Sequence, residues 1–225
     1  MKVLLSALVL AAAPAFAATA VVGQPAPAFS VTDTSGKAVS LADFKGKTVV
    51  LEWVNPGCPY VRKHYDSANM QGTQKGATDK SVVWLAVNST AKDHGDYKKP
   101  ADMAAWMQSQ KASATHTLMD SDGKVGKAYG ARTTPHMYIV DAKGTLAYAG
   151  GIDDKPSSNP ADVKTAKNHV NAALGDLQAG KPVAQATTRP DWPLAKTSRR
   201  AFGHSDRLPE TPMTELGSFR SLKAP

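Results

Sequence analysis

The chain has 225 residues, a net charge of +8 and a single cysteine, Cys58. That length supports one domain with a sizeable core, and one cysteine excludes a scaffold stapled by internal disulfides. The basic residues near the C-terminus, such as Arg189, Arg199, Arg200 and Arg207, come with no aromatic stripe or basic helix, so they read as a solvated tail and nucleic acid is not an expected partner. At the other end, residues 1–17 read as a secretory signal peptide. Lys2 supplies the positive start, residues 3–12 are apolar but too short to span a bilayer, and Ala15-Phe16-Ala17 is a small-x-small cleavage site. The mature protein is therefore expected in the periplasm or secreted, with no membrane span after cleavage.

Residues 31–33 and 37–40 read as two short strands around Ser35-Gly36, followed by one helical turn at 41–44. Residues 48–54 form a β-rich run that is apolar on both sides, as a strand covered on both faces should be. It ends in the breaker Asn55-Pro56-Gly57 just before Cys58, and a helix is expected from Pro59 to about Met70. A strand at 81–87, a polar loop at 88–99 and a helix at 100–110 follow, the helix presenting Met103, Trp106 and Met107 on one face. Residues 115–119 are a strand, 124–129 a short helix closed by Gly130, and 136–140 and 145–149 a hairpin around Asp141-Ala142-Lys143-Gly144. A long helix is expected over 160–179, with Val163, Ala166, Val170, Ala173, Leu174 and Leu177 at helical spacing. Alternating strands and helices with a closing hairpin give an α/β class with a mixed central sheet flanked by helices. The expected organisation is a domain over 18–183 and an irregular, poorly ordered extension over 184–225.

Strand, breaker, cysteine and helix together put the sulfur at a helix N-terminus, where unpaired N–H groups and the helix dipole favour a thiolate. The thiolate is the reactive form. Arg62 and Lys63 add positive charge one turn further on, whereas His64 is six positions along and faces away. His94, His136 and His169 lack the spacing of a metal site, so no metal or cofactor is expected.

The segment Trp53-Val54-Asn55-Pro56-Gly57-Cys58-Pro59-Tyr60-Val61-Arg62-Lys63 resembles the active-site segment of thioredoxin-like redoxins. That group includes the alkyl hydroperoxide reductase/thiol-specific antioxidant superfamily, and the match is to a peroxiredoxin-like exported subgroup with C-P-[FY]-V. The likeness runs from about Gly23 to Val183. It implies a thioredoxin-like fold, Cys58 as nucleophile, and Arg62 and Lys63 as the basic pair behind it. Thr133-Thr134-Pro135 resembles the cis-proline loop that faces such a cysteine, so Thr134 and Pro135, with Pro59 and Tyr60, are expected to hold the substrate. Glu52, six residues before Cys58, matches the buried acid that accepts protons beneath the thiol in thioredoxins. The residues alone leave open a solvent-facing place on an edge strand.

Three positions depart from that pattern. Val61 stands where a resolving cysteine would be, so an external thiol or a thioredoxin-like reductant must complete any cycle. Leu51 and Asn55 replace the proline and the Thr/Ser of peroxidatic sites. Gly180-Lys181-Pro182-Val183 is followed by Asp191-Trp192-Pro193 rather than by the cysteine-bearing segment of the subgroup, as a reading-frame shift near Pro190 would leave it. The expectation is an exported thiol oxidoreductase or antioxidant that takes a peroxide or a protein disulfide. The alternative is a non-catalytic, thiol-trapping binding module.

Overall fold

The computed structural model describes residues 19–190. The expected signal peptide and the chain after Pro190 lie outside them. Two short strands, β1 (Ser30–Thr32) and β2 (Ala38–Ser40), pair as an antiparallel hairpin. A five-stranded mixed sheet has the order β5-β4-β3-β6-β7. Here β3 is Val49–Trp53, β4 Val83–Asn88, β5 His116–Met119, β6 His136–Val140 and β7 Leu146–Gly150. β3, β4 and β5 run parallel, while β6 and β7 are antiparallel additions on the other side of β3.

Side-chain alternation divides β3 between two cores. Val49, Leu51 and Trp53 face Phe29, Val39 and the helix α4 (Lys124–Tyr129). Val50 and Val54 face α1 (Pro59–Asp66), α2 (Asn69–Thr78), α3 (Pro100–Ser109) and α5 (His169–Gln178). A strand covered on both faces reads as a continuous apolar run, which is how residues 48–54 read. The single polar break, Glu52, is wholly buried in this central strand. The edge-strand alternative is thereby excluded.

Two expected helices are each broken in two. The helix begun at Pro59 stops at Asp66, because Ala68 takes a left-handed conformation (φ 60°) and a new helix starts at Asn69. Side chains satisfy the carbonyls of the first: Gln71 Nε2 donates to Tyr65 O and Ser67 Oγ to His64 O. α2 carries Gly72 and Gly76, which cost helix stability, and it is held by burial of Met70, Thr73, Gln74 and Ala77. Similarly, 160–179 is a 3-10 segment (Pro160–Thr165) and then α5, separated by extended backbone at Ala166. Asn168 caps α5 by accepting from Asn171 N, and its amide donates to Thr73 Oγ1. Val163 and Ala166 are therefore only half-buried.

The domain also extends past Val183. Thr187 bridges Ala149 of β7 in parallel, and Thr188 Oγ1 bonds Tyr148 Oη at 2.6 Å and accepts from Gly151 N at 3.0 Å. A Cβ on Gly150 would collide with Thr188. Residues 184–190 thus cover an otherwise open sheet edge.

Candidate functional site

β3 ends at the carboxyl edge of the sheet, beside its parallel neighbour β4. Val54 is tied on both sides, by Val54 N to Val87 O and by Asn88 Nδ2 to Val54 O. Asn55 then folds the breaker: its Oδ1 accepts from Gly57 N at 2.8 Å and its carbonyl from Cys58 N at 3.0 Å. Cys58 becomes the N-cap of α1 with extended backbone (φ −77°, ψ 124°), and Pro59 occupies the first turn, where no N–H is needed. The half-buried Cys58 thiol donates to Thr134 O at 3.0 Å, and the Thr134–Pro135 peptide is cis. Chain segments 76 residues apart thus meet at the sulfur.

The other expected site residues separate into a rim and a floor. Pro59 is exposed, Tyr60 and Thr134 are half-buried and Pro135 is buried. Arg62 is exposed, and its Nε donates to Pro56 O at 3.2 Å, beside the turn that presents the cysteine. Lys63 contradicts its expected role as free positive charge near the thiol. It is 1% exposed, ion-paired to Asp153 at 3.1 Å, and donates to Lys155 O at 2.8 Å. One position along a helix turns a side chain by roughly 100°, and this turn takes Lys63 under α1 rather than toward the mouth. His64 is buried as well, with Nδ1 2.8 Å from Asn69 Nδ2 and Nε2 3.9 Å from Asp153 Oδ2.

Glu52 sits on the floor. Tyr65 Oη donates to its Oε1 at 2.9 Å, while Gln74 Nε2 and Trp84 Nε1 donate to its Oε2 at 2.9 and 2.7 Å. Burial raises its carboxyl above the ordinary range, against the opposing pull of those donors, Trp84 foremost. These bonds tie α1, α2 and β4 to β3. The thiol is held by Thr134, not by this carboxyl.

Three groups that sequence reasoning did not single out as site residues also belong here. Trp53 Nε1 donates to Ser89 Oγ, which donates to Asp120 Oδ2 at 2.6 Å, and Asp120 accepts from Val125 N and Gly126 N. This chain of bonds pins the carboxyl ends of β3, β4 and β5 together. His136, directly after the cis proline, is kept neutral at physiological pH: burial, then the nearby Arg132 charge, lower it to about 3. Asp96 comes from the polar loop after β4. Its Oδ2 lies 3.4 Å from Asn55 Nδ2, and its carboxyl packs directly on Gly57. Its signal was topological, since loops after parallel neighbours share one edge of the sheet.

Residues 22–149 match the AhpC/TSA family. The thiol-disulfide oxidoreductase ResA of Bacillus thuringiensis subsp. konkukian is 29% identical over 132 residues, 56% of this chain and 66% of the relative. The thioredoxin-like protein YneN of Bacillus subtilis is 32% identical over 124 residues, 55% of this chain and 68% of the relative. The match to ResA spans just under two thirds of that protein's own length. Among solved structures, an uncharacterized conserved protein from Geobacillus kaustophilus aligns with a TM-score of 0.63 at 24% identity, covering 78% of this chain and 94% of its own. It shares the fold.

Proposed function

The chain belongs to the AhpC/TSA family, and from that premise we propose that it is an exported thiol oxidoreductase that exchanges Cys58 with a protein disulfide. The observation that carries this reading is the half-exposed thiol at the start of α1, 3.0 Å from Thr134 O. The N-terminus of an eight-residue helix favours negative charge on the sulfur. The thiolate attacks one sulfur of the substrate disulfide, the S–S bond breaks, and the other sulfur leaves as a thiolate. Thr134 and Pro135 form the wall across from Cys58, with Pro59 and Tyr60 beside it, and these four would seat the substrate backbone. Arg62 adds positive charge at the rim. Glu52 acts as a positioning residue that fixes α1 beneath the sulfur. The mixed disulfide on Cys58 has no internal partner, because Val61 stands one turn on and the chain has a single cysteine. An external thiol, free or on a thioredoxin-like reductant, attacks it, takes the substrate half and returns the Cys58 thiolate.

The test incubates the purified protein and Cys58→Ser with a disulfide-bonded model peptide and, separately, with hydrogen peroxide. Mass spectrometry and stopped-flow kinetics follow the reaction. A peptide adduct on Cys58, released by added thiol and absent from Cys58→Ser, is the expected result. Sulfenic acid formed faster than on free cysteine, without a peptide adduct, would replace disulfide exchange by peroxide reduction. No reaction with either, with the thiol still titratable after unfolding, would reduce the protein to a thioredoxin-fold binding module. Export is checked by N-terminal sequencing of the periplasmic protein, expected to begin at Ala18.

A further inference from the structure

The loop between β4 and α3 puts a carboxylate on the turn that presents the cysteine. An ideal Cβ on Gly57 would lie 2.8 Å from Asp96 Cγ and 2.9 Å from each carboxylate oxygen. Only a residue without a Cβ leaves this side chain where it packs, and any other residue at 57 would displace it. Asn55 Nδ2 lies 3.4 Å from Asp96 Oδ2, and Asp96 N donates to His94 Nδ1 at 3.1 Å, so both ends of the residue are held. The Asp96 side chain is 48% exposed, and its charge faces solvent as well as the turn. Gly57 and Cys58 are consecutive. Chain geometry therefore limits the carboxylate to at most about 11 Å from the sulfur, which is near the screening length at physiological salt.

We infer that Asp96 is a specificity-determining residue: its fixed negative charge biases Cys58 toward disulfides with positive charge beside the reacting sulfur, and against anionic ones. The inference rests on the disulfide-exchange reading and names the substrate class for it. Arg62 lies on the same turn, bonded to Pro56 O, and Arg132 is exposed on the facing loop. Lys92, Asp93, Lys98 and Lys99 share Asp96's own loop. The effect is therefore read as the change on removing one charge, not as an absolute preference.

The test measures second-order rate constants of Cys58 with cystamine (cationic), bis(2-hydroxyethyl) disulfide (neutral) and dithiodiglycolate (anionic), in low and high salt. Asp96→Asn is expected to lower the cystamine-to-dithiodiglycolate ratio about fivefold at low salt, as one screened charge at this range should. The neutral disulfide should move little and the ratio change should shrink in high salt, while Asp96→Glu keeps the wild-type ratio. A merely structural role would slow all three disulfides alike. If all three react and Asp96→Asn leaves the ratio unchanged at both salt concentrations, the inference is overturned and the exchange reading stands. If none reacts with the wild type, both fall.

Discussion

The charges on the floor of the site and those on its rim obey different physics, even where, as at Arg62 and Lys63, they are neighbours in sequence. On the floor, Glu52 and the Lys63–Asp153 pair are wholly or almost wholly buried, and their partners are protein atoms. On the rim, Arg62 and Asp96 are exposed, each anchored by a contact to the turn before Cys58. Buried charges are worth their partners, and removing one partner leaves a large penalty. Exposed charges are worth little to the fold, but they act through solvent on whatever approaches the sulfur. Proximity in sequence therefore says little about which charge a substrate meets.

Lys63→Met gives the largest separation of the two. It strands Asp153, whose side chain is 1% exposed, at a cost of about 3–5 kcal/mol. Urea unfolding should show that loss in its midpoint, while the alkylation rate of Cys58 in the folded fraction stays within about twofold, since the lysine faces away from the mouth. A loss below about 1 kcal/mol would mean that the pair is solvated. A large drop in alkylation rate would put Lys63 back on the rim.

Glu52→Gln comes next. Burial raises the Glu52 carboxyl above the ordinary glutamate value of 4.5, so the folded state keeps a proton where the unfolded chain has released it. Stability contributed at this site therefore falls as pH rises from about 4.5 toward the folded value. Glutamine does not titrate, so that segment of slope should vanish from the difference between wild type and variant. The amide keeps its oxygen on Trp84 and Gln74 only by turning its NH2 to the Tyr65 hydroxyl, which must give up its own donation and accept instead, costing about 1–3 kcal/mol. Equal slopes for the two proteins in urea unfolding between pH 4 and 7 would remove Glu52 from the acid–base account of the fold.

Much of this arrangement was legible because local chemistry and the fold agree. The Asn55-Pro56-Gly57 breaker, Pro59 at the first helical position and Gly130 closing α4 each act through their own backbone. What was not legible depends on distant partners. α2 is held by side chains it buries, not by helix propensity. The break before α5 depends on Asn168 reaching Thr73, 95 residues away. Lys63 looked like Arg62 until α1 was packed against the loop carrying Asp153. Asp96 lay in a stretch with no periodicity, 38 residues after Cys58 in the chain, and only the parallel pairing of β3 and β4 brings it to the cysteine.

A smaller effect probes the rim without removing a charge. Gly57→Ala would put a methyl group where the Asp96 carboxyl now packs. The short side chain can swing toward solvent, so the stability cost should stay near about 1 kcal/mol. The charge moves away from the turn, and the cystamine-to-dithiodiglycolate rate ratio should fall in the same direction as for Asp96→Asn, by about twofold. An unchanged ratio with normal stability would show that the position of the carboxylate does not matter.

Arg62→Gln is the smallest perturbation to the fold and supplies the opposite sign. Arg62 is exposed and its Nε bond to Pro56 O is 3.2 Å long, so unfolding should move by no more than about 0.5 kcal/mol. Removing positive charge beside the turn makes the mouth more negative. The rate with dithiodiglycolate should fall about threefold, that with cystamine should rise, and both should converge on the wild type as salt screens the difference. Helix α1 keeps its N-terminal dipole in the variant, so the neutral disulfide should react at nearly the wild-type rate. If the neutral disulfide slows as much as the anionic one, Arg62 acts on the sulfur itself rather than on the approaching partner, and its place on the rim would not describe its role.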